Sequence, residues 1–137
     1  ALGLASMARL ETTTAQRRRN ADRLTRDLDG VAELILPRPA PPVGHAWHQY
    51  TVLAADRDLL AASLAAADVG FGIHYPMPVQ DQPGFASRRD VVADDTPIAR
   101  HVAARCLSLP VHPDLASEDR CRTVEAVLAA LEHGPWR

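Results

Sequence analysis

The sequence predicts an α+β domain, a small and mainly antiparallel sheet with helices packed on one face. Three observations predict it. In the opening segment, apolar residues recur at helical spacing: Leu10, Ala21, Leu24 and Leu28 share one stripe, which Thr14 and Arg17 interrupt. The β-rich stretches between helical segments are short and few, enough for a small sheet only. The 137 residues are 47% hydrophobic and 23% charged with a formal net charge of −2, the balance of one domain that buries a core and not of a disordered tail.

Each element follows from local signals. Residues 1–29 read as one long helix, with Leu2, Leu4, Met7 and Leu10 already apolar and Gly30 placed to end it. The chain opens without a Met or a basic region ahead of an apolar one, so it does not read as a secretory signal. It reads as the middle of a helix, and the expectation is a polypeptide that begins further upstream. VAELILP (31–37) suits a short strand, RPAPP (38–42) a connector and HAWHQYTVLA (45–54) a second strand. Asp56 caps a helix of about ten residues with Leu59, Leu60 and Leu64 inward. VGFGIHYPMPVQDQPGF (69–85) starts as a strand and continues as a long ordered loop, since Pro and Gly interrupt it repeatedly. Thr96 and Pro97 open a helix over 97–106, LSLP (107–110) is a brief strand, and Ser117 opens a last helix that Gly134 ends.

Composition excludes several kinds of chemistry. All 15 basic residues are Arg, so this chain supplies no lysine amine for Schiff-base formation or for a Walker-type phosphate site. No run of about 18 apolar residues occurs, so no membrane-spanning helix and no membrane partner are expected. Cys106 and Cys121 lack CxxC spacing and read as reduced thiols of a cytoplasmic protein. Arg17, Arg18, Arg19, Arg23 and Arg26 could contact nucleic acid. However, Glu11, Asp22, Asp27 and Asp29 interleave with them, so a solvated face with i,i+4 pairs is favoured and no nucleic-acid partner is expected. Arg17 stands apart because it falls on the apolar stripe, either paired with an anion or snorkelling.

His45 and His48, three apart on a strand, point to opposite faces, while His101, His112 and His133 have no partner spacing, so no metal site is read. Ser108, His112 and Asp114 lack a nucleophile elbow, and Gly70 and Gly72 lack the rest of a dinucleotide fingerprint. The remaining candidate is the loop 72–85, where His74, Tyr75, Gln80 and Gln82 offer uncharged polar groups beside Pro and aromatic rings. That combination suits a polar small molecule such as a sugar. A tightly packed structural loop is the alternative, and both stand at this point.

GIHYPMPVQDQPGF (72–85), followed after a helix by ARCLSLPVHPDL (104–115), resembles the C-terminal segment of the DegT/DnrJ/EryC1/StrS family of sugar aminotransferases. ALGLASMARLETTTAQRRRNADRL (1–24) is similar to the long helix joining that family's two domains, and HAWHQYTV (45–52) to its small-domain strand. The resemblance runs in order along the whole chain. It implies the small C-terminal domain of the aspartate-aminotransferase fold (fold type I), with residues 1–30 as interdomain helix and the large cofactor-binding domain absent. It further implies a pyridoxal-5'-phosphate enzyme that moves an amino group from glutamate or glutamine to a nucleotide-linked keto-sugar, and a homodimer. The family's cofactor-binding lysine and ring aspartate belong to the large domain, so no cofactor is expected on this chain alone and no catalytic residue within it. Substrate-orienting roles carry over to His74, Tyr75 and Gln80. Position 80 is Gln where family members often carry His. The alternative is a non-catalytic remnant that serves as a binding or dimerisation module.

Overall fold

A computed structural model describes residues 2–42, 44–86, 88 and 96–132; His133 and Gly134 lie outside the described residues. The opening segment forms two helices rather than one, α1 (Leu2–Met7) and α2 (Leu10–Asp27). The turn between them lies at residues 8–9, and within the first turn of α2 the Thr13 hydroxyl also donates to the carbonyls of Arg9 and Leu10 (3.0 Å each). The Arg9 N–H meanwhile turns back to the Ser6 carbonyl. The stripe buries in its second half, where Ala21, Leu24 and Leu28 are wholly buried, while Leu4, Met7 and Leu10 are exposed. Gly30 takes φ +80°, the left-handed conformation that a residue without Cβ adopts at no steric cost.

The strands are shorter than expected, each for a visible reason. β1 is only Leu34–Ile35, because residues 31–34 make a turn closed by the Leu34 N–H on the Val31 carbonyl, and Pro37 has no N–H to extend the ladder. β2 is Tyr50–Ala54. The expected strand start at 45 folds up instead: the Trp47 N–H donates to His45 Nδ1 (3.0 Å) and Trp47 has φ +50°. His45 and His48 therefore precede the strand, and the argument that placed them on its opposite faces does not apply. Near residue 69 the backbone makes only a bridge, Gly72 to Ser108. Asp56 caps α3 (Arg57–Ala66), its carboxylate accepting from the Leu59 N–H at 2.8 Å. A short α4 (Pro83–Ala86) precedes α5 (Pro97–Arg105), β3 (Cys106–Leu109) and α6, which spans Ser117–Glu132.

The strands form one antiparallel sheet in the order β1-β2-β3, with Tyr50 opposite Leu109 and Val52 opposite Leu107. Alternation then sorts the side chains. Tyr50, Val52, Ala54, Leu107 and Leu109 join Leu24, Leu28, Leu60, Leu64 and Val127 in one core beneath α2, α3 and α6, as the fold class requires. Thr51, Leu53, Cys106 and Ser108 turn to the opposite face, and this is the face that matters for the site. Polar ties fix the helical layer: Ser63 donates to the Ala126 carbonyl (2.6 Å) between α3 and α6, and Arg120 of α6 pairs with Asp27 of α2 (3.0 Å).

Candidate functional site

The second face of the sheet is where the loop expected to carry chemistry lies. Gly72 anchors it, exchanging two backbone hydrogen bonds with Ser108 on β3 (2.7 and 3.1 Å). Pro76 and Pro78 favour extended backbone through the next residues, and Val79–Asp81 closes a single 3-10 turn. The loop is tied to α5 by two polar contacts. Asp81 accepts two hydrogen bonds from Arg100 (2.7 and 2.8 Å), and the Gln80 amide contacts the Thr96 hydroxyl. Thr96 therefore precedes α5 as expected but does not cap it with its side chain.

The structure brings all four loop candidates together. His74, Tyr75, Gln80 and Gln82 line one hollow of about 570 Å³, whose floor includes Thr51 and Cys106 of the sheet and whose wall is α5. Tyr75 is 72% exposed, so its ring and hydroxyl are presented rather than packed. The Cys106 thiol lies 3.8 Å from the Tyr75 carbonyl. His74 also lines a neighbouring hollow of about 440 Å³ with Gln49, Ser108 and His112. Its ring contacts Tyr75 edge-on at 5.7 Å, and its Nδ1 lies 3.1 Å from the Gln49 amide nitrogen. Among the described residues no charged side chain lines the larger hollow, which fits an uncharged polar ligand better than an anion.

Gln49 was not read from the sequence as a site residue. A signal for it existed: Tyr50, Val52 and Ala54 alternate into the core, which turns 49 and 51 toward the loop. Among the described residues the Arg17 guanidinium donates to the Trp47 and His48 carbonyls (3.2 and 3.3 Å), and Arg18 donates to the His45 carbonyl (3.0 Å). These arginines thus tie α2 to the segment before β2 instead of forming the expected i,i+4 pairs. Ser108 spends its hydroxyl on Thr51 (2.9 Å). Both cysteines are free, Cys106 buried and Cys121 exposed. Among the described residues no three His, Cys, Asp or Glu side chains could hold a metal ion together, and no helix is long and apolar enough to cross a membrane.

The Asp81–Arg100 pair gives the loop a pH dependence. Arg100 holds the Asp81 carboxyl below its ordinary value, so the tie stabilises the loop above the usual aspartate range and is lost as pH falls through the lowered value. Protection factors of the amides of residues 79–82, which correct for the intrinsic slowing of exchange in acid, should fall on acidification through that value, and Arg100→Gln should remove that fall. An unchanged pH profile in the variant would contradict it.

Comparison with known proteins gives a consistent result. The family model described as the DegT/DnrJ/EryC1/StrS aminotransferase family matches residues 1–128. The chain is 35% identical over 126 residues to a pleiotropic regulatory protein of Geobacillus stearothermophilus, covering 90% of this chain and 34% of the relative. It is 34% identical over 118 residues to a UDP-N-acetyl-3-dehydro-alpha-D-glucosamine 3-aminotransferase of Acidithiobacillus ferrooxidans, covering 86% and 31%. Among solved structures, S. venezuelae DesV in complex with a ketimine intermediate superposes with a TM-score of 0.80 at 29% identity, over 90% of this chain and 33% of that one. These residues span about a third of the length of each relative. The chain belongs to the DegT/DnrJ/EryC1/StrS aminotransferase family.

Proposed function

We propose that these residues are the small C-terminal domain of a pyridoxal-phosphate-dependent aminotransferase that moves an amino group from glutamate or glutamine to a nucleotide-linked keto-sugar. The observation that carries the reading is the uncharged hollow under the loop, in which His74, Tyr75, Gln80 and Gln82 meet. Uncharged donors and acceptors beside an aromatic ring bind a pyranose by its hydroxyls and its apolar face. Tyr75 and His74 orient the sugar, and Gln80 lines the same hollow. The sugar-nucleotide aminotransferase named among the relatives supports the substrate class.

The cofactor does not fit the residues present. It is held through a lysine amine, and this chain has none among its 137 residues. The lysine and the aspartate beside the cofactor ring would lie in the two thirds of the relatives that these residues do not span. The contribution of this domain is therefore to bind and orient the sugar. A homodimer in the cytoplasm follows from the same reading. The native polypeptide containing residues 72–80 should convert a nucleotide-linked keto-sugar to the amino-sugar with glutamate or glutamine as donor. Amino transfer confined to small keto acids would overturn the substrate assignment, and no transfer at all would favour a non-catalytic binding module.

A further inference from the structure

The imidazole of His74 is flanked on two sides, by Gly72 and by Gln49. On one side, Gly72 leaves the space in which the ring sits. A Cβ built on Gly72 would come within 2.6 Å of His74 Cε1, closer than real Cβ atoms approach, and 3.0 Å of Nδ1, so the ring would have to shift. Gly72 is itself fixed to β3 by its two backbone hydrogen bonds with Ser108. On the other side, the half-buried Gln49 points off the sheet face shared with Thr51 and places its amide nitrogen 3.1 Å from His74 Nδ1. An amide nitrogen only donates, so Nδ1 must accept, and a neutral ring that accepts at Nδ1 carries its proton on Nε2.

We propose that Gln49 and Gly72 are positioning residues that hold His74 as an Nε2–H donor toward an oxygen of the sugar. The inference rests on the reading that this loop contacts a nucleotide-linked sugar. It chooses sugar oxygen over phosphate because, among the described residues, no cationic side chain lines the larger hollow, and Arg17, which lines the smaller one, donates its guanidinium to the Trp47 and His48 carbonyls. A donor of fixed tautomer and fixed ring plane binds an acceptor without first losing rotamer or tautomer freedom.

The test reads the tautomer directly. Long-range proton–nitrogen spectra of histidine-labelled chain, at a basic pH where imidazoles are neutral, report Nδ1 and Nε2 separately, and His74→Gln identifies the signals. The wild-type ring should be protonated at Nε2. Gln49→Leu removes one neutral hydrogen bond and should shift the tautomer ratio about fivefold toward Nδ1–H. Gln49→Glu places a group that only accepts against Nδ1 and should make Nδ1–H the major form. Gly72→Ala pushes the ring away and should act like Gln49→Leu, with His48 and His101 unchanged in all three variants. A wild-type ring protonated at Nδ1, or a ratio that neither Gln49 variant moves, overturns the proposal.

A kinetic arm in the native polypeptide separates this inference from the reading beneath it. Gln49→Glu should raise KM for the nucleotide-sugar and leave KM for the amino donor unchanged. If the tautomer moves and neither KM does, His74 is positioned but does not meet the sugar, and the site assignment fails. If His74→Gln raises the sugar KM while the Gln49 variants leave the tautomer alone, the site stands and the positioning role fails.

Discussion

Leu107→Ala is expected to destabilise the domain by about 3 kcal/mol, within the 2–5 kcal/mol typical of large-to-small changes in a packed core. Leu107 is wholly buried in the middle of β3, opposite Val52, where strand register forces it into the layer between the sheet and helices α2, α3 and α6. The cavity left behind cannot collapse easily, because the neighbours on β2 are held by the ladder and those on the helices by one another. Urea unfolding should show a lower midpoint with the same slope. Ile98→Ala is the control: Ile98 is 79% exposed, and its loss should change stability by no more than about 0.5 kcal/mol. A Leu107→Ala loss below about 1 kcal/mol would mean that β3 is not the centre of the core.

The second large effect belongs to the site. Tyr75→Phe should raise KM for the nucleotide-sugar up to about tenfold, the equivalent of one lost hydrogen bond, and leave stability unchanged because the side chain is 72% exposed. KM for the amino donor should stay the same. The split is the informative part: Tyr75 lies on the loop over the sheet, and in the proposed enzyme the donor is handled with the cofactor, outside these residues. Equal effects on both substrates would remove Tyr75 from the sugar pocket.

Much of the fold was legible because the signals were local. The Asp56 cap, the α3 helix with Leu60 and Leu64 inside, and the loop after Gly72 all stand where turn chemistry and periodicity put them. The opening segment reads as one helix because Leu4, Met7 and Leu10 continue the apolar pattern, yet these side chains stay exposed and the helix breaks at residues 8–9. Periodicity reports which residues seek burial, and cannot report whether burial is reached. The strand before Tyr50 was overextended for another reason. His45, Ala46 and Trp47 have strand-like composition, but the His45 imidazole captures the Trp47 N–H and the two arginines of α2 take the carbonyls of residues 45, 47 and 48. The arginine contacts cross more than 25 positions of chain, so no local window contains them.

The site divides in the same way. His74, Tyr75, Gln80 and Gln82 were found together because they sit within one loop, and the structure gathers them around one hollow. Gln49 was missed because its partner lies 25 positions away and its own strand suggested only packing. Arg17 was singled out correctly as an unusual residue on an apolar stripe, but its ligands are main-chain carbonyls that sequence patterns do not mark.

The most direct test of the central claim, that these residues are one domain of a larger aminotransferase, is the intact mass of the native polypeptide detected through the peptide GIHYPMPVQ. Because these residues span 34% of one relative and 31% of another, the account predicts about three times 14.9 kDa, with a lysine in the remainder. A native polypeptide of 14.9 kDa with no larger subunit bound to it would contradict the account.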